Sequence, residues 1–582
     1  MMLFPGKPHP ALRPAALAVG ACLVASAAWL ISRVFVGLDF TDEMQYYGEV
    51  ASLTRTSKFF QDDLFIQQLG YLFVLPFFKL HALVFPDQSY LVLWGRLLCL
   101  ASYLLVGLLF WRAASQLGVF SPQQKLTGLA ALFAWVPCQI FALSYNSMAY
   151  LLVVSLLAVW LARDRARDWR NAVVSSALLA ALTVAYPPAG LALTATALMD
   201  AWLRSGWRSA LGLLALTASS CVLIAGIIVG LHGFIFWRDL KVSIGFGRAF
   251  GEGRTLLRPD HLTGWLALTA ASGLFIRRLY RRAAFASPFS RYGPSVAQWA
   301  TGLTAAAGAA VLLWLSVRWS TGHFAMAVFV ALAWLLAGSV RPTDDHVPAD
   351  LAIIGLLAGS VFAFSSGNGL QNFGLGAAGV LPFFVLYGMR YVEDRGGSTL
   401  PGVVRQAALP AMVALLLLNG ALHPYREQRG WSGMQPVQGV PAFKGIWTSP
   451  AKIMALDLFR QLSAPGALRG KRVLVAGPHP WLYFASGGQP TTPMIFMHFT
   501  AEQETVYDLV AARLFQGGTP DAIFVTNYVP LPVGKRIAEW TNESCSVRSV
   551  ALPIGFIRRY RQQTTYDFAG QAYLLTRQPK VP

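Results

Sequence analysis

Between Gly37 and Gln68 the chain reads GLDFTDEMQYYGEVASLTRTSKFFQDDLFIQQ. Six of the protein's 27 acidic residues fall inside it: Asp39, Asp42, Glu43, Glu49, Asp62 and Asp63. Carboxylates gathered like this can take protons, orient a hydroxyl or balance cations. Asp42-Glu43 is followed one helical turn later by Tyr46 and Tyr47. Asp39, three residues before Asp42, shares its face if the segment is helical. A blander explanation also fits: acidic loops are soluble, and tyrosines beside a membrane form the usual interfacial belt. What decides between them is the scaffold around the loop.

That scaffold is apolar. Of 582 residues 55% are hydrophobic and 13% charged, against roughly 25% charged in soluble chains, and the mean hydropathy is +0.49. Stretches approaching the ~20 residues that cross a bilayer recur down to about residue 420. The formal charge of +20 would suggest nucleic acid in a soluble protein; here Arg-rich loops between membrane helices account for it, and no nucleic-acid partner is expected. The five cysteines form no CxxC or CxxH spacing and no metal pattern. The first apolar run, Pro14–Val36, is long enough to span and is read as an uncleaved helix despite the Ala25-Ser26-Ala27 cleavage-like triplet.

Fourteen apolar segments run from 14–36 to 403–420. If 68–85, with its Pro76, Lys79 and His81, lies at the interface, the basic loops alternate consistently from a cytoplasmic N-terminus. The expected architecture is a polytopic α-helical membrane protein of about thirteen transmembrane helices plus an interfacial helix, carrying a C-terminal extracytoplasmic α/β domain. The transmembrane domain is 1–420 and the α/β domain 421–582. The first outer loop, 37–67, and the tail then lie on the same side.

One outer loop, 232–260, breaks the charge rule with Arg238, Lys241, Arg248, Arg254 and Arg258. Long loops escape that rule; the functional alternative is an amphipathic, phosphate-binding stretch. In it Gly245, Gly247, Gly251 and Gly253 would form a turn open to an anion. Lys58 and Arg55 lie between the two acidic clusters, where they can pair with them or face a phosphate. Four polar turns fall on the same side: Tyr145-Asn146-Ser147, Tyr186-Pro187-Pro188, Arg318 with His323, and 365–369. In the tail, Arg472–Ala476, Asp521–Thr526 and Ala572–Thr576 read as strands and Glu502–Phe515 as an amphipathic helix.

The D-E-x-x-Y arrangement of Asp42, Glu43 and Tyr46 in the first outer loop resembles the loop motif of the GT-C glycosyltransferases, among them the lipid A aminoarabinose transferases and protein O-mannosyltransferases. The likeness extends to the helix count, the interfacial helix after the motif and the extracytoplasmic C-terminal domain. It implies an inverting glycosyltransferase of the bacterial inner membrane. The sugar would pass from a polyprenyl-phosphate donor to a lipid or glycan acceptor of the cell envelope. It further implies Asp42 as base, Glu43 orienting the acceptor or a basic partner, and Asp62 or Asp63 as a second acidic position. Asp39 and Tyr46 would sit beside the substrate, with Lys58 and the 232–260 cations toward the phosphate and Arg318 and Asn368 as phosphate or sugar contacts. No cofactor is certain; some relatives use a divalent cation. An O-antigen ligase or polymerase, or a lipid-linked glycan flippase, are the competing classes.

Overall fold

The computed structural model describes residues 12–60, 63–162, 168–252, 310–318, 321–337, 347–365, 370–394, 402–424, 427, 431–477, 479–491, 504–515, 518–528, 533, 535–537, 539, 545–551 and 567–577. Helices dominate up to residue 422. They are α1 (Leu12–Phe35), α2 (Asp42–Thr56), α3 (Leu75–Val84), α4 (Leu91–Gln116), α5 (Pro122–Ala134), α6 (Tyr145–Leu161), α7 (Asp168–Ala185), α8 (Pro187–Ser205), α9 (Trp207–His232) and α10 (Phe236–Glu252). After the undescribed stretch come α11 (Thr321–Ala337), α12 (Val347–Ser365), α13 (Leu370–Ala377), α14 (Leu381–Asp394) and α15 (Gly402–Leu422).

Among the described residues four spans are long and apolar enough to cross a membrane: Ala16–Phe35, Leu91–Gln116, Trp207–His232 and Asn372–Arg390. Shorter apolar helices accompany them, and the expected segment 261–276 lies outside the described residues. Segment 68–85 is not one helix. A 3-10 stretch, Ile66–Phe73, gives way to the ten residues of α3. At 1.5 Å per residue α3 is about 15 Å long, half the ~30 Å hydrocarbon layer.

The expected span 126–145 also breaks, because α5 stops at Ala134. Pro137 removes a donor and pushes Val136 into an extended conformation, so the helix cannot continue. Trp135, Val136, Ile140, Phe141 and Ala142 are nevertheless buried. The backbone groups freed by the break find side-chain partners. Tyr103 Oη donates to Trp135 O at 3.0 Å, Tyr150 Oη to Leu132 O at 3.4 Å and Arg33 Nη2 to Gln139 O at 2.9 Å. Irregular backbone of this kind is tolerated where protein encloses it.

Beyond α15 the chain forms a mixed α/β unit. Short strands β1 (Gln435–Pro436) and β2 (Trp447–Thr448) pair antiparallel. Then come α16 (Pro450–Leu462), β3 (Arg472–Ala476), α17 (Trp481–Ser486), β4 (Gln489–Pro490), α18 (Glu504–Arg513), β5 (Ala522–Tyr528), β6 (Cys545–Ala551) and β7 (Asp567–Arg577). The main sheet has the order β4-β3-β5-β7-β6, with β4, β3 and β5 parallel and β7 antiparallel to both neighbours. Val473 to Ala476 are all fully buried, the continuous apolar run that a covered parallel strand requires.

This unit is not tethered by a bare linker. One apolar core contains Leu38, Phe40, Met44 and Tyr47 together with Phe443, Ile446, Leu456, Val473 and Trp481. Phe40 stacks on Trp481 at 4.6 Å between ring centroids, and Gly37 N donates to Trp447 O at 2.8 Å. The first acidic loop is therefore part of the α/β unit's packing.

Candidate active site

Helix α2 starts where a pair of acids satisfies its first amides. Asp39 Oδ2 accepts the Glu43 N–H at 3.0 Å, and Glu43 Oε2 accepts the Asp39 N–H at 3.1 Å. Asp39 Oδ1 also takes the Thr41 N–H and hydroxyl, at 3.1 and 2.6 Å. The reciprocity is that of a capping box, spread over one more residue than usual. Asp39 thus acts on α2 itself.

Glu43 is equally committed. Arg96, near the start of α4, holds it with a fork: Nε to Oε1 at 2.7 Å and Nη2 to Oε2 at 2.8 Å. Both side chains are buried, and the same guanidinium donates to the carbonyls of Gly37, Arg33 and Val34, tying down the end of α1. A second pair lies beside it. Glu427 accepts from Lys452 Nζ at 3.1 Å, from Thr448 Oγ1 at 2.7 Å and from Leu38 N at 3.0 Å, while Lys452 also donates to Leu38 O. With Arg33 and Asp39 this makes three buried cations and three buried anions, so the cluster is neutral. Charges out of water persist when they are paired in this way.

Asp42 differs from its two neighbours. It is only partly buried, in the first turn of α2, and its charge reaches Tyr46, Tyr145 and Cys138. Tyr46 meets Tyr145 edge-on at 6.0 Å, Tyr145 stacks on Tyr186 at 5.7 Å, and Tyr186 stacks on Phe362 at 4.3 Å while its hydroxyl bonds Ser365 Oγ. This aromatic row brings together the start of α6, the α7–α8 turn and the end of α12 beside Asp42.

Two turns further along α2, Glu49 is buried and accepts from Gln45 Nε2 at 2.7 Å. Burial first, and the Asp63 carboxylate second, hold Glu49 well above its usual 4.5. Its Oε2 and the neighbouring Tyr71 hydroxyl, each beside the other, have no partner in hydrogen-bonding geometry. Asp63 is itself buried, and its Oδ1 accepts the Phe65 N–H at 3.0 Å.

No family model and no curated protein matches this chain.

The acids and cations singled out from sequence therefore separate. The 232–260 segment does lie against the second acidic stretch: Ser243 Oγ donates to Leu64 O at 2.7 Å, Phe246 meets Phe65 edge-on, and His232 Nδ1 accepts the Phe59 N–H at 2.8 Å. Its other ring nitrogen faces Asp239 Oδ2 at 3.1 Å, which fixes the Nε2–H tautomer. Yet the described glycines form no turn there. Gly245, Gly247 and Gly251 lie within α10, because the buried Phe236, Ser243 and Phe246 on one face outweigh the ~1 kcal/mol that each glycine costs a helix. Arg238 is exposed and pairs with Asp239 at 3.1 Å, Lys241 is exposed, and Arg248 is helical. Lys58 and Arg318 are exposed. Asp62, Gly253, Arg254, Arg258 and Asn368 lie outside the described residues.

Arg96, Arg33, Glu427 and Lys452 were not foreseen. Arg96 carried a signal, since a lone arginine in an apolar helix implies a buried acceptor. Glu427 and Lys452 sit in polar sequence and carried none.

Proposed function

We propose that the protein is an integral membrane glycosyltransferase that moves a sugar from a polyprenyl-phosphate donor to a lipid-linked or cell-envelope acceptor, with Asp42 as the base. The observation that carries this reading is the division among the first three acids. Asp39 and Glu43 are buried and hold the helix start and Arg96, whereas Asp42 is partly exposed, beside an aromatic row. In this reading thirteen helices cross a bacterial inner membrane, and the α/β unit lies outside with the acidic loop.

The chemistry needs little else. Asp42 takes the proton of the acceptor hydroxyl as its oxygen attacks the anomeric carbon from the face opposite the phosphate. The anomeric C–O bond to phosphate breaks, its electron pair leaves with the polyprenyl phosphate, and configuration inverts. A phosphate ester anion departs without a general acid; cations hold it as charge develops. Exposed Lys58, Arg238, Lys241 and Arg318 are candidates among the described residues. Among the described residues no group of three or more His, Cys, Asp or Glu side chains is placed to hold a metal ion, so no step is routed through one.

Asp42→Asn tests the reading. Transfer from a radiolabelled polyprenyl-phosphate sugar to envelope acceptors should fall by roughly 10²–10⁴-fold, the contribution of a positioned base, with folding unchanged. Full activity in Asp42→Asn would remove Asp42 as the base.

A further inference from the structure

Helix α2 has a second face. At 100° per residue, Gly48, Ala51, Ser52 and Arg55 point about 130° away from Asp42, Tyr46 and Glu49. There they line a cavity of about 250 Å³ whose opposite wall is the α/β unit. The volume falls just under the ~300 Å³ at which small-molecule pockets begin, room for one ring and its substituent.

Its chemistry is that of an anion site with an apolar wall. Arg55 and Arg469 face one carboxylate, Asp87, whose oxygens already accept the Ser89 N–H and hydroxyl. Among the described lining residues the excess is one positive charge. Arg55 Nη1 is held at 2.8 Å by Gln489 Oε1 in the edge strand β4, so its guanidinium is anchored across the seam. Gly466, Gly470 and Gly487 have φ of 75°, 75° and 70°, which bends the loop around the opening without side chains in the way. Tyr483 and Phe484 also border the cavity, both largely buried behind it.

We propose that this cavity binds a single sugar ring carrying a phosphate or carboxylate, with Arg55 and Arg469 on the anion and the ring in the space between α2 and the α/β unit. The site is separate from Asp42 and does not depend on that residue's role.

Saturation-transfer NMR on the full chain in nanodiscs tests it, with glucose 1-phosphate, glucuronate and glucose as probes. The charged sugars should bind and glucose should not, and the tighter of the two charged sugars identifies the anion. Arg55→Gln and Arg469→Gln, both at exposed positions, should each weaken binding by about tenfold or more, the loss of a charge-assisted hydrogen bond. Arg469→Lys should recover part of it. Asp42→Asn should leave binding intact. Equal binding of glucose, unchanged affinity in both arginine variants, or loss of binding in Asp42→Asn would each overturn the proposal.

Discussion

Replacing Arg96 by methionine removes the fork that neutralises Glu43. The aliphatic volume is roughly kept, but Glu43, 2% exposed, loses bonds of 2.7 and 2.8 Å and its only ion-pair partner among those described. Breaking a buried pair from one side costs about 3–5 kcal/mol. Arg33 lies close enough to feel Glu43 and has an unpartnered Nε–H, so the lower end is expected, about 3 kcal/mol. That is on the order of a hundredfold in an opening equilibrium. Hydrogen exchange across residues 36–56 of the purified protein reads this opening directly. Glu43→Gln in the same chain restores neutrality: Arg33 and Lys452 then face Asp39 and Glu427. The double variant should recover at least about 2 kcal/mol relative to the sum of the single changes. If Arg96→Met raises exchange less than about fivefold, or if the two changes are additive, the balanced cluster is not what holds the loop.

Three further outcomes follow from the geometry. Glu49 keeps its proton in the fold to higher pH than in the unfolded chain, so its contribution to stability is complete below about 4.5 and is lost as pH rises through its elevated folded value. Glu49→Gln should therefore flatten the decline of unfolding free energy with rising pH, gaining stability at neutral pH and little at pH 4; a parallel pair of pH profiles would contradict this. Gly95→Ala drives a methyl into Tyr47 Cε1 and should cost about 1–3 kcal/mol in thermal or denaturant unfolding as Tyr47 is displaced. Lys452→Met leaves Glu427 buried without its cation and should raise protease cleavage around 36–41 and 427–447 by about tenfold or more, at a cost of about 3 kcal/mol.

Local features of this molecule were legible in the sequence. The strands at 472–476 and 522–528 announced themselves by unbroken apolar runs, and Pro76 with Lys79 marked 68–85 as something other than a spanning helix. Asp42 and Glu43 read as part of an outer loop, 37–67, whereas they open the helix Asp42–Thr56. Partnership was not legible. Glu43 and Arg96 are 53 positions apart, and Leu38 and Glu427 are 389 apart, distances over which neither periodicity nor spacing says who meets whom. The glycines of α10 misled for a related reason: local propensity favoured a turn, and packing against Leu64 and Phe65 decided for a helix. The premature end of α5 was written in Pro137, but the three side chains that make its broken backbone tolerable come from α1, α4 and α6.

The latch on the acidic loop also has a place in time. Glu427, Trp447 and Lys452 hold Gly37 and Leu38 across 389 to 414 positions of chain. At about 5–20 residues per second, the ribosome makes the loop roughly 20–80 s before the residues that close it. During that interval Asp39 can cap α2 and Arg96 can find Glu43, but the carbonyl of Leu38 and the amide of Gly37 wait. The first loop is thus among the earliest parts of the protein to be synthesised and among the last to be finished, and a nascent chain that stalls before Lys452 leaves it open.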